Sequence, residues 1–91
     1  MTQPSQEAIA AEILAQTGAC GPGASISPSQ VAQALAGGEE TAWRPLLTPV
    51  RQAALALQAA GAIEILRKGR PVPAAEVRGV IRLRRRAEAA A

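Results

Sequence analysis

The interior of this chain has to be built almost entirely from aliphatic side chains. The sequence carries eight Leu, six Ile, five Val and a single Trp, with no Phe and no Tyr. In 91 residues that supply makes one hydrophobic core and not two. The expected organisation is a single domain over residues 1–86, with 87–91 as a frayed C-terminal tail.

Punctuation residues divide the chain into short elements. Ser5 caps a first helix with Glu7 in its first turn, and Ile9, Ile13 and Leu14 form its apolar stripe. This helix is expected over Gln6 to Gln16, with Gly18 as its stop. Ala24-Ser25-Ile26 reads as a short strand. Ser27 then opens a second helix with three agreeing cues: Pro28 at the first position, Gln30 completing a capping box, and Ile26 with Val31 as a hydrophobic staple. Val31, Ala34 and Leu35 are its expected buried stripe, and Gly37-Gly38 ends it.

Residues 39–47 read as a connector from which Trp43, Leu46 and Leu47 dock on the core. The alternative for Trp43 is stacking on a base. Thr48 with Pro49 predicts the start of a third helix whose inner face is Val50, Ala54, Leu57 and Ala60, stopped by Gly61. A single helix kinked near Pro49 fits the same apolar phase. Leu55 falls just off that face, as core after a small rotation or as a contact surface. Ile63 and Ile65, then Ile81 and Leu83, alternate as inward positions of two strands, with Val80, Arg82 and Arg84 facing out. Two prolines and two glycines mark the 67–79 connection as a loop. The order helix, short strand, helix, helix, strand, strand predicts an α+β fold. Its form is winged-helix-like: a three-helix core, a small antiparallel sheet and a C-terminal β-hairpin wing.

Charge is divided along the chain. Residues 1–43 hold Glu7, Glu12, Glu39 and Glu40 and no base, whereas all ten basic residues lie in 44–91. A solvated hairpin explains this blandly; a surface for phosphates or an acidic partner explains it functionally. The absence of His, Asp and Tyr removes Ser-His-Asp, Cys-His and His-metal sites, so no enzyme, metal or cofactor is expected. The glycines around Cys20 follow a helix and lack the Gly-Lys-Ser/Thr of a phosphate loop. Adjacent Glu39 and Glu40 read as solvated carboxylates. Cys20, the sole cysteine, has neither a base nor a cation beside it to make it a nucleophile. With no paired cysteine, no secretory leader and no membrane-length apolar run, a cytoplasmic protein is expected. The preference for Ala, and for Arg over Lys, points to a GC-rich bacterial genome.

Ser27-Pro28-Ser29, Val31-Ala32 and Ala34-Leu35 resemble a small bacterial family of winged-helix-like proteins of unknown function. The resemblance continues through Trp43-Arg44, Leu46-Leu47, Val50-Arg51, Gly61, Ile63, Lys68-Gly69, Val72, Gly79 and Ile81-Arg82-Leu83. It spans about residues 7–84. Val80 stands where the family pattern has Pro, and Gln33 where it has Arg. The resemblance implies a fold and carries no catalytic residues.

In a winged helix the third helix enters the major groove and the wing follows the backbone. The expected nucleic-acid contacts are therefore Arg51, Gln52 and Gln58 on the third helix, Arg67, Lys68, Arg70 and Arg78 on the wing, and Arg82 and Arg84 on the last strand, with Arg85 and Arg86 beyond. DNA is favoured. A protein-docking module or a homodimer is the alternative. No membrane and no small-molecule substrate are expected.

Overall fold

A computed structural model describes residues 4–21 and 23–86. The expected tail at 87–91 lies outside the described residues.

Helix α1 spans Gln6–Ala19, and the Ser5 side chain accepts from the Ala8 N–H as its cap. It runs beyond the expected stop at Gly18. Gly18 keeps helical geometry, and the left-handed residue is Gly21 at φ 86°, directly after the C-cap Cys20. Only glycine adopts that conformation cheaply, so Gly21 ends the helix. The extra turn buries Thr17, whose hydroxyl donates to the Ile13 carbonyl at 2.8 Å.

Helix α2 spans Pro28–Ala36 with the capping box complete. The Ser27 N–H donates to Gln30 Oε1 at 2.8 Å and the Gln30 N–H to Ser27 Oγ at 3.4 Å. Ile26 and Val31, the expected staple, are both buried. The inward small residue is Ala32, whereas Ala34 is exposed. Val31 and Leu35 keep their expected inward place, while the buried face extends over Ala32 and Ala36 instead of Ala34, a rotation of well under half a turn.

The connector is itself helical. A single turn, α3 at Glu40–Trp43, passes through a 3₁₀ turn at Arg44–Leu46 into α4 at Leu47–Ala59. Thr48 is therefore not a cap. The N-cap is Leu46 in helical conformation, without a side-chain cap bond. The tightening falls at Arg44–Leu46, which contains Pro45, and not at Pro49. Pro49 sits in the first turn of α4, where its missing N–H leaves no bond unmade. On α4 the core receives Val50, Ala53 and Ala54, while Ala60 is exposed. Trp43, Leu47, Leu55 and Leu57 pack half-buried around that core.

Three strands follow where two were expected: β1 (Ile63–Arg67), β2 (Arg70–Pro71) and β3 (Arg82–Arg85), in the antiparallel order β2-β1-β3. Leu83 lies opposite Ile65 and forms an isolated bridge with Ile26. That bridge is the short strand expected at Ala24-Ser25-Ile26. Ile63, Ile65, Ile81 and Leu83 are buried against α1, α2 and α4. The result is three principal helices with a small three-stranded antiparallel sheet, an α+β arrangement consistent with a winged-helix-like fold.

Candidate nucleic-acid interface

The segment read as a loop contains a tight hairpin. Arg67 pairs with Arg70 across Lys68-Gly69. Lys68 has φ 54° and Gly69 has φ 81°, the double left-handed pattern of the turns that match strand twist in two-residue hairpins. The ladder continues with the Val72 N–H donating to the Ile65 carbonyl at 3.0 Å. This geometry puts two guanidinium-bearing residues directly across from each other with an ammonium at the tip. Like charges opposite one another on a strand pair repel.

Two α4 side chains hold the limbs of this wing. Gln58 Nε2 donates to the Val72 carbonyl at 2.7 Å, and Arg51 Nη2 donates to the Gly79 carbonyl at 3.3 Å. Both residues were expected to face nucleic acid; here they brace the wing against the helix. The exposed positions of α4 are Thr48, Gln52, Ala56 and Ala59. Of the three expected helix contacts, only Gln52 projects freely, and that face carries no charge.

The last strand is likewise engaged. Arg82 donates to Ser25 twice, Nε to Oγ at 2.7 Å and Nη2 to the carbonyl at 2.8 Å. Arg84 lies opposite Glu64 and donates to its Oε1 from Nε at 3.0 Å and from Nη2 at 2.6 Å. Arg85 Nη2 donates to the Leu14 carbonyl of α1 at 2.8 Å. Arg44 pairs with Glu40 one turn back and lies 5.9 Å from the Trp43 ring centroid. Among the described residues, the side chains of Arg67, Lys68, Arg70 and Arg78 have no hydrogen-bond or ion-pair partner.

Apart from Gln52, exposed on α4, the expected contacts therefore divide into two groups. Arg67, Lys68 and Arg70 come together at the hairpin tip, with Arg78 further along the same connection. Arg51, Gln58, Arg82 and Arg84 are tied to the protein itself. Ser25 and Glu64, the partners of Arg82 and Arg84, were not singled out as such from sequence. Glu64 and Arg84 meet because the β1–β3 register sets them opposite each other, which alternation along each strand does not specify. Among the described residues no cluster of His, Cys, Asp or Glu is arranged to hold a metal, and no helix is long and apolar enough to cross a membrane.

No curated protein matches the chain. A family model matches over residues 6–86, and the chain belongs to that family, DUF3253, described as a protein of unknown function.

Proposed function

We propose that this domain binds nucleic acid, duplex DNA foremost, by gripping the phosphate backbone with its wing, and that it does no catalysis. The observation that carries this reading is the partnerless cationic hairpin tip. Arg67 and Arg70 oppose each other across Lys68, and among the described residues none of the three has an anionic partner. An anion seated there relieves their mutual repulsion as well as gaining its own attraction. A neutral α4 face, with Gln52 as its freely projecting polar side chain, supports little base reading. Binding is therefore weakly sequence-selective and positioned by phosphates. In this reading the winged-helix layout serves a cytoplasmic bacterial DNA-binding protein.

The experiment is a fluorescence-anisotropy titration with duplex DNA at several salt concentrations. Three to four phosphate contacts give a slope of log K against log salt of about −3 to −4. Replacing Arg67, Lys68 and Arg70 together by Ala should abolish most of that slope while the far-ultraviolet spectrum stays unchanged. Absence of binding at 50 mM salt or below would end the proposal.

A further inference from the structure

Arg51 stands between two hollows that the wing reading does not use. One, of about 270 Å³, has Pro28, Leu47, Val80 and Ile81 in its wall. Its neighbour, also about 270 Å³, is lined by Leu47, Gln52 and Leu55. Arg51 lines both and is the sole charged residue in either wall. Val80, 88 % exposed, is the exposed large hydrophobic of the described residues.

The chemistry of the occupant follows from these walls. A guanidinium has five N–H donors, and Arg51 directs one of them to the Gly79 carbonyl. No carboxylate among the described residues pairs with it. A half-buried cation with donors to spare, set between aliphatic walls, is complementary to a carboxylate carried on an aliphatic body. Each hollow falls just below the roughly 300–1,000 Å³ of pockets that engulf a small ligand, so each takes side chains and not a whole molecule. A folded partner needs on the order of 800 Å² of surface on each side, which two such hollows do not provide. A short extended segment needs far less.

We infer that the Arg51 groove docks a short peptide segment of a protein partner, with an acidic side chain on Arg51 and aliphatic side chains on either side in the two hollows. This does not rest on nucleic-acid binding, since it uses neither the hairpin tip nor its cations.

The test is selection of binders from a random peptide library displayed on phage, using the intact domain, followed by titration of the enriched peptides. Enriched peptides should carry Asp or Glu flanked within two positions by Leu, Ile, Val or Met. Their affinity should fall about tenfold or more when that acid becomes its amide or when Arg51→Gln is used. Val80→Ser, a surface change that leaves the fold alone, should weaken them several-fold. The inference is overturned by failure to enrich any peptide, or by binders whose affinity ignores both Arg51→Gln and Val80→Ser. It is also overturned if binding is lost only in the Arg67, Lys68, Arg70 triple variant, since charge at the wing would then be the target. A concentration-dependent mass that disappears in Val80→Ser would assign the groove to a second copy instead and overturn it equally.

Discussion

Lys68 shows a conformational cost kept alongside a charge. A side chain with a Cβ held at φ 54° costs roughly 1–2 kcal/mol compared with a right-handed conformation. Asn before Gly is the cheaper choice in this turn. Lys68→Asn should therefore raise unfolding stability by about 0.5–1 kcal/mol, measured by denaturant titration with the lone Trp43 as fluorescence reporter. The same substitution should make the DNA salt slope shallower by about 1. Stability and binding moving in opposite directions would separate the turn's conformation from its charge. Gly18 presents another residue-scale choice, because it sits inside α1 with helical geometry. A methyl group there would lie 3.1 Å from Arg85 Nη2, the far end of a flexible side chain. That atom is held by the Leu14 carbonyl, so in Gly18→Ala the loss of this bond should offset most of the roughly 1 kcal/mol helix-propensity gain, and a thermal melt should show little change in Tm.

Helix starts were the most legible of the elements. Ser5 and Ser27 cap as expected because a side-chain cap is local chemistry within four residues. Ser27→Ala should cost about 1 kcal/mol, read by the same denaturant titration. The α3–α4 junction was less legible: Thr48-Pro49 imitates a helix start, yet Leu46 and Trp43 dock on the core and carry the helical path straight through. Tertiary packing outweighed the local signal there. Strand β2 was missed because Lys68-Gly69 is not the usual Asn-Gly pair and Pro71 reads as a strand breaker. Pro71 is tolerated on an edge strand, where no ladder bond is lost. Gln58 then fastens this wing to α4. Gln58→Ala should change global stability by no more than about 1.5 kcal/mol but speed amide hydrogen exchange at Val72, whose N–H completes the hairpin.

For the whole molecule, Leu83 is the hub. It is fully buried, lies opposite Ile65, and exchanges backbone bonds of 2.9 and 2.8 Å with Ile26. Both edges of β3 are therefore paired at one residue. Leu83→Ala should cost about 2–5 kcal/mol, seen as a lower denaturant midpoint.

Residues alone determined the size of the core, the helix caps, the inward phase of Ile63, Ile65, Ile81 and Leu83, and the gathering of positive charge in the second half. Each of these depends on composition or on neighbours a few positions apart. Only the tertiary structure decided which cations are spent inside the molecule. Arg82 meets Ser25 across 57 positions and Arg85 meets Leu14 across 71, and such distances along the chain become contacts only when strands set their register against helices. The Arg67–Arg70 pair is the opposite case, set across the two-residue turn at Lys68-Gly69 by neighbours three positions apart.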